Sequence, residues 1–186
     1  MASSPVIRSM DDSELARETL RGNTRSFELL VEKYYKVLFN TALRMLGDSE
    51  DARDVVQITF MKAYVKLNTF NPQLKFFSWI YRIVIHESLN LLGRRKMQEP
   101  LGVDLREPSR DPEEECARSE LSGAISAALL RLSPDKRLLV ILRHFAGFSY
   151  DEMSAILGIP EQKVKSRLYS ARRSLGALLV GRSATA

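Results

Sequence analysis

The chain has 186 residues, of which 45% are hydrophobic and 27% charged, so it can bury a core and is not expected to be disordered as a whole. A single cysteine, Cys116, excludes an internal disulfide and a cysteine-rich zinc site, and the two histidines, His86 and His144, lie too far apart to suggest a metal cluster. No apolar run reaches the roughly 18 residues of a membrane helix, and the N-terminus lacks a secretory signal. We expect a cytoplasmic protein without membrane insertion, metal or cofactor.

The net charge of +5 is unevenly distributed along the chain. Residues 99–120 hold eight acidic and three basic side chains, whereas residues 161–186 hold six basic and one acidic. A second basic block is Arg94-Arg95-Lys96. This segregation predicts two basic lobes joined by a flexible acidic linker at residues 98–120, and it favours an anionic polymer as the partner.

Helical periodicity fills the first lobe, residues 10–97. Helices are predicted at about residues 12–22, 27–46, 49–67 and 75–96, from apolar residues spaced by three or four. Gly47 ends the second helix, Asp48 is the N-cap of the third, and the segment Asn68–Pro72 is a loop. No useful β-type alternation occurs, so the fold class is all-α.

The second lobe, residues 121–180, has the pattern of a helix-turn-helix. Ser133-Pro134 opens a helix that ends before Gly147, and two short helices follow. Ser149 and Glu152 are spaced as a capping box, and Gly158 supplies a sharp turn before the last helix. Such a second helix enters the major groove of DNA.

The outer face of the last helix carries side chains that suit phosphates and guanine edges. The bland alternative is a solvated amphipathic helix, but a solvated helix normally mixes charges of both signs, and this one is almost wholly basic. The predicted duplex-binding residues are Lys163, Lys165, Ser166, Arg167, Tyr169, Arg172 and Arg173.

Two features of the first lobe also suggest binding. Aromatic residues from Phe70 to Tyr81 lie among cations, as in single-strand binding sites, although helical aromatics such as Phe77 and Trp79 are equally often core. On the third helix, Asp51, Asp54 and Gln57 share one side, opposite an apolar face that includes Tyr64 and Leu67. The helix dipole accounts for Asp51 but not for Gln57.

Three segments, in this order, resemble an extracytoplasmic-function (ECF) sigma factor of bacterial RNA polymerase. They read GDSEDARDVVQITFMKAY and FFSWIYRIVIHESLNLLGRRK in the first lobe and LSPDKRLLVILRHFAGFSYDEMSAILGIPEQKVKSRLYSARRSL in the second. The resemblance covers about residues 25–97 and 121–176. It departs from the family pattern at His86, at Ser154 and at Glu161-Gln162-Lys163. The last departure changes the start of the recognition helix, so the promoter sequence read there by a relative cannot be transferred.

The resemblance implies roles for both lobes and for the linker. The first lobe would bind the polymerase core through Asp51, Asp54 and Gln57, docked on the clamp helices of the largest subunit. The second would read the minus-thirty-five element, next to the flap of the second-largest subunit, and the linker would thread toward the RNA exit path. An anti-sigma factor is a further implied partner. The implied minus-ten strand-binding residues are Asn68, Phe70, Asn71, Lys75, Phe76, Trp79, Arg82, His86 and Asn90.

Two other functions compete with this interpretation. A dimeric transcription regulator with a sensing lobe would bind duplex DNA tightly without polymerase. A helical enzyme would need convergent acids, a nucleophile or a metal set; Glu87 beside His86 is a weak pair, because neighbours on a helix do not face each other. We therefore expect no enzymatic activity.

Overall fold

The computed structural model describes residues 11–98 and 120–183, and every long element in these two ranges is a helix. We call the two ranges the N-terminal and C-terminal lobes. The predicted all-α fold class is confirmed. The helices are α1 Asp12–Leu20, α2 Thr24–Leu46, α3 Ser49–Val65, α4 Phe76–Gln98, α5 Glu120–Leu130, α6 Pro134–Val140, α7 Tyr150–Leu157 and α8 Glu161–Ser183, with a 3-10 turn at Leu67–Thr69 and a π turn at Ile141–Phe145.

Helix ends in the N-terminal lobe lie where the caps predict them. Gly47 ends α2 in the left-handed conformation, with φ of 78°, where glycine is free of the steric cost of a Cβ. The Asp48 side chain then accepts hydrogen bonds from the backbone N–H groups of Glu50 and Asp51, at 2.9 and 3.0 Å. Together they fix the angle between α2 and α3.

Helix α2 is the central element of the N-terminal lobe, and α1, α3 and α4 pack around it. Its inward side chains, among them Leu30, Leu38 and Met45, are fully buried. The short α1 is held by an ion pair between Asp12 and Lys33, 2.5 Å apart, and by a hydrogen bond from Ser13 Oγ to the carbonyl of Pro72. Helix α1 therefore restrains the loop that precedes α4.

In the C-terminal lobe, α8 runs further than predicted. The sequence analysis expects two short final helices, whereas α8 continues to Ser183. Its second half packs against α5 and α6, where Ala171, Leu175 and Leu178 join a small cluster with Leu129 and Val140. This burial stabilises the extra turns, and Gly176 alone does not break them.

The two lobes share one continuous core. Arg137 lies where the C-terminal lobe packs against the N-terminal lobe, a contact that we call the joint. The residue is only 6% exposed. It donates hydrogen bonds to the carbonyls of Leu129, Leu130 and Leu132 in its own lobe and to that of Met45 at the end of α2. Burial lowers the pKa of Arg137 to about 10, so the side chain stays charged at neutral pH and binds the negative ends of two helices.

The predicted division into residues 10–97, 98–120 and 121–180 stays a prediction. Helix α4 ends and α5 begins on either side of the linker, but buried side chains of both lobes belong to the same cluster. Residues 99–119, which include Cys116 and seven of the eight acidic side chains of the linker, lie outside the described residues.

Replacing Arg137 with alanine leaves several buried carbonyls without a donor, so we expect the free energy of unfolding to fall by about 3 kcal/mol. The control is Arg131→Ala, at an exposed position, with an expected change within about 0.5 kcal/mol. Denaturant unfolding followed by circular dichroism measures both. Equal stability of the two variants would contradict the role given to Arg137.

Candidate nucleic-acid and polymerase interfaces

The helix-turn-helix of the C-terminal lobe is held by side chain to backbone hydrogen bonds. The predicted capping box is confirmed: Ser149 Oγ accepts from the N–H of Glu152 at 3.1 Å, and the N–H of Ser149 donates to Glu152 Oε2 at 2.9 Å. Gly158 turns the chain with φ of 64°. Ser154 Oγ donates to the carbonyl of Ile159 at 2.7 Å, so this departure from the family pattern ties α7 to the turn.

Behind this frame, Met153, Val164 and Leu168 are buried. They fix the rotation of α8 about its axis, so the opposite side of the helix points away from the protein. All the predicted duplex-binding side chains are exposed, and Tyr169 is 64% exposed. The face combines a flat aromatic ring with five cations, which are Lys163, Lys165, Arg167, Arg172 and Arg173.

Lys165 makes two contacts within the lobe. Its ammonium lies 2.6 Å from a carboxylate oxygen of Glu161 and 5.4 Å from the centre of the Tyr150 ring. Both ends of the ion pair are nearly half exposed. Such a pair contributes only about 0.3–0.5 kcal/mol, so a phosphate can replace the carboxylate at little cost.

In the N-terminal lobe, the predicted strand-binding residues divide by exposure. Asn68, Asn71, Lys75, Arg82 and His86 are exposed, and Trp79 and Asn90 are half-buried. These seven line the loop before α4 and one side of that helix.

Phe70 and Phe76 differ from the prediction, since their exposed fractions are only 7% and 1%. Their ring centres lie 5.3 Å apart, each about 5.5 Å from that of Trp79. The packing of α1 and α2 beneath the loop draws both rings into the core. In this conformation they support Trp79 and are not open to a base.

A hydrogen-bonded network lies under His86 and includes a carboxylate that the sequence analysis dismisses. The side chain of Glu87 is 8% exposed, and its Oε2 forms an ion pair with Lys62 Nζ at 2.7 Å. His86 Nδ1 lies 3.3 Å from the other oxygen, and the Asn90 amide lies 3.1 Å from the same ring nitrogen. The two side chains therefore touch, although the sequence analysis expects neighbours on a helix not to face each other.

Glu87 is ionised within this network. Burial alone would raise the pKa of Glu87, but the ion pair with Lys62 and the contact with His86 outweigh it, and the pKa lies below its ordinary value. A negative charge therefore stands beneath a face that is otherwise polar and basic.

The predicted polymerase-binding residues occupy two environments on α3. Asp54 and Gln57 are exposed, whereas Asp51 forms an ion pair with Arg95 of α4. Asp51 thus joins α3 to the basic end of α4. Of the three, only Asp54 and Gln57 present unobstructed side chains.

An apolar groove of about 660 Å³ continues from Gln57 along α2 and α3. The sequence analysis did not identify it, and it placed Tyr64 on the inward face of α3, although Tyr64 is 48% exposed. Met61 and Val65, at 62% and 77%, are more exposed still. The lining residues are Phe27, Val31, Tyr35, Arg53, Gln57, Phe60, Met61, Tyr64 and Val65.

Helix α7 lies against the predicted strand-binding face of α4. Lys75 Nζ is 2.7 Å from Glu152 Oε1, and Arg82 donates to the carbonyl of Ala155 at 2.6 Å. The hydrogen bond from Lys75, followed by that from the Ser149 N–H, lowers the pKa of Glu152. In this conformation two of the predicted strand-binding cations are therefore engaged by the other lobe.

An aromatic contact accompanies these polar ones. The ring of Phe148, 2% exposed, stacks on Phe77 at 5.2 Å and meets Tyr81 edge-on at 5.0 Å. Phe77 and Tyr81 thus pack in the core. Core packing is one of the two interpretations of the aromatic segment in the sequence analysis, the other being a single-strand binding site. Nearby, the Arg44 guanidinium lies 4.3 Å from the Phe145 ring centre.

Comparisons with known proteins agree with this arrangement. Residues 30–97 match the family model for sigma-70 region 2, and residues 122–175 match that for sigma-70 region 4. The RNA polymerase sigma-H factor of Pseudomonas aeruginosa is 31% identical over 90% of this chain and 93% of its own length. The ECF sigma-E factor of Haemophilus influenzae is 30% identical over 89% of this chain and 94% of its own length.

Solved structures show the same architecture. CnrH, in complex with the cytosolic domain of CnrY, superimposes with a TM-score of 0.71 and 27% identity over 91% of this chain and 97% of its own. The sigma factor RpoE of Bartonella quintana, in complex with the anti-sigma factor NepR, superimposes with a TM-score of 0.71. The identity is 29% over 83% of this chain and 97% of that one.

These matches define the class of protein as a bacterial sigma factor, a transcription initiation factor. The chain belongs to the ECF branch of that family. Within residues 11–98 and 120–183, no helix is long and apolar enough to cross a membrane, and no group of acidic, histidine or cysteine side chains could hold a metal ion.

Replacing Phe148 with alanine removes a buried ring between the lobes, so we expect a loss of about 3 kcal/mol in stability together with separation of the lobes. Small-angle scattering should show a larger radius of gyration, with helix content unchanged by circular dichroism. Tyr169→Ala, at an exposed aromatic, is the control. An unchanged radius in the Phe148 variant would mean that this contact does not hold the lobes together.

Proposed function

We propose that this sigma factor binds the RNA polymerase core in the cytoplasm, directs it to promoters and opens the DNA there. The exposed basic and aromatic face of α8 carries the proposal, because its orientation is fixed by a buried helix-turn-helix frame. The chain itself supplies promoter choice and strand capture, while the polymerase supplies the chemistry of RNA synthesis, and the chain is not an enzyme.

In this proposal, α8 reads the minus-thirty-five element as duplex DNA. Arginine and lysine side chains reach guanine edges and phosphates in the major groove, and Tyr169 offers an apolar surface to thymine methyl groups. The exposure of all the predicted side chains on one face of α8 supports this role. Neighbouring surfaces of the C-terminal lobe then contact the flap of the second-largest subunit.

The loop before α4 and the exposed side of α4 bind the minus-ten strand. Trp79 stacks on an unpaired base, and Lys75 and Arg82 contact the backbone. Buried Phe70 and Phe76 hold Trp79 from below. Because Lys75 and Arg82 contact α7 in the present conformation, strand binding requires the lobes to separate.

The polymerase clamp helices dock on α3. Asp54 and Gln57 provide polar contacts, and the adjacent apolar groove provides most of the buried area. Asp51 contributes indirectly, by orienting Arg95. A partner that stabilises the contact between the lobes, or covers this groove, would act as an anti-sigma factor. RpoE of Bartonella quintana was solved in complex with an anti-sigma factor, NepR.

Strand capture is tested by Trp79→Ala and Arg82→Ala in reconstituted holoenzyme. Stacking contributes about 1–3 kcal/mol per base, so we expect roughly tenfold slower promoter opening with unchanged closed-complex affinity. Permanganate reactivity of thymines in the melted region measures opening. The control is Arg17→Ala, at an exposed position on α1. Arg82 is exposed, so its variant retains the test if the Trp79 variant is unstable. Normal opening by both would refute strand capture.

Core binding is tested by placing a charge in the groove. We expect Met61→Lys to weaken binding to core polymerase about tenfold or more, because burying a methionine contributes about 1.5–3 kcal/mol. Leu20→Lys is the matched control, since Leu20 on α1 is 56% exposed and does not line the groove. Competition with a fluorescently labelled chain measures both affinities. Equal affinities would place the polymerase interface elsewhere.

A further inference from the structure

The C-terminal lobe contains a π turn, Ile141–Phe145, directly before the helix-turn-helix. Its widened ring is closed by a hydrogen bond from the N–H of Ala146 to the carbonyl of Ile141, at 3.0 Å. A π turn inserts an extra residue and so redirects the side chains that follow, and such turns are frequent at functional sites. His144 lies within this turn and contacts α8.

His144 meets one of the predicted duplex-binding cations. Arg172 Nε donates a hydrogen bond to His144 Nε2 at 3.0 Å, across 28 residues of sequence. The acceptor nitrogen must carry a lone pair, so the ring is neutral and holds its proton on Nδ1. The same contact is impossible for a protonated ring, which has only donors and repels the guanidinium.

The contact orients Arg172 and leaves the terminal nitrogens of its guanidinium available for DNA. Only Nε is engaged by His144, which leaves the two terminal nitrogens of the guanidinium to donate to one acceptor pair on DNA. An arginine that is held before binding loses less side-chain entropy when it binds. His144 itself points at Arg172 and makes no predicted contact with DNA.

We propose that His144 is a positioning residue for promoter recognition, which holds Arg172 in the orientation that contacts the minus-thirty-five duplex. The inference rests on the proposed function of α8. It adds a residue outside that helix, and it makes recognition depend on the protonation of one imidazole.

The surroundings of the ring set the direction of this dependence. Partial burial, then the charges of Arg172 on α8 and of Arg143 in the same turn, lowers the pKa of His144 below its ordinary value. The ring is therefore neutral at and above neutral pH, and acidification below that lowered pKa protonates it and releases Arg172.

The test uses the full-length chain in holoenzyme and two duplexes at constant salt: a promoter fragment found by mapping the transcripts of this holoenzyme, and the same fragment with its minus-thirty-five element scrambled. The measured quantity is the ratio of the two affinities, in which contributions from the rest of the promoter cancel. For Arg172→Ala we expect this ratio to fall about tenfold, the size of one lost base contact.

His144→Leu removes the hydrogen-bond acceptor for Arg172. We expect the ratio to fall three- to tenfold, because Arg172 then loses more side-chain entropy when it binds DNA. The double variant should match Arg172→Ala within about twofold, because both changes disrupt one interaction. His144→Gln presents an oxygen near the place of Nε2 and should restore the ratio. Between pH 7.5 and 5.5 the ratio should fall for the wild-type chain and stay constant for His144→Gln.

Several results would overturn the inference. An unchanged ratio in His144→Leu, losses that multiply in the double variant, or equal pH profiles for the wild-type chain and His144→Gln would each show that His144 does not position Arg172. An unchanged ratio in Arg172→Ala would remove the contact itself. Lys165→Ala separates these failures from failure of the proposed function: if the loss of Lys165 also leaves promoter affinity unchanged, α8 does not bind the duplex at all.

Discussion

Much of the arrangement depends on the joint where the C-terminal lobe packs against α2 and α4. Arg137 supplies the polar half of this joint, since one guanidinium binds carbonyls at the ends of α2 and α5. Phe148 supplies the apolar half, between Phe77 and Tyr81. If the joint opened, the Phe148 ring would be exposed to water and the buried carbonyl of Met45 would lose its donor. The joint therefore fixes the position of α7, and with it the surfaces that remain accessible.

The accessible and covered surfaces have different chemistry. The proposed duplex-binding face of α8 and the groove on α3 are exposed, whereas the proposed strand-binding side of α4 is partly covered by α7. The contacts that cover it are one exposed ion pair and one hydrogen bond to a carbonyl, both of which water and phosphate can replace. The more strongly held parts of the joint lie outside that face. In the proposed function, duplex recognition and polymerase docking therefore need no rearrangement of the lobes, whereas strand binding does.

The sequence predicted those parts of the fold that depend on local chemistry. Asp48, Gly47, Gly158 and the Ser149–Glu152 box all act as their residue types require, because caps and left-handed turns are decided within a few residues. Apolar spacing likewise predicted the long helix α2, whose inward side chains are buried.

The sequence failed where distant packing decides the outcome. Phe70 and Phe76 are drawn inward by α1 and α2, and Tyr64 is left exposed because no helix among the described residues covers that side of α3. The π turn at Ile141–Phe145 has no residue signature, so the meeting of His144 with Arg172 could be found only from the coordinates. The network at Glu87 depends on Lys62 of another helix, which periodicity does not reveal.

Glu152 shows how the C-terminal lobe can detach without refolding. One carboxylate oxygen serves the start of α7, and the other reaches Lys75 on the far side of the joint. On detachment the outward oxygen is hydrated, while the inward one keeps its backbone partner. In the proposed function, the C-terminal lobe would therefore separate from the N-terminal lobe without losing its own structure, and the cost would be the hydration of the joint and not the unwinding of a helix.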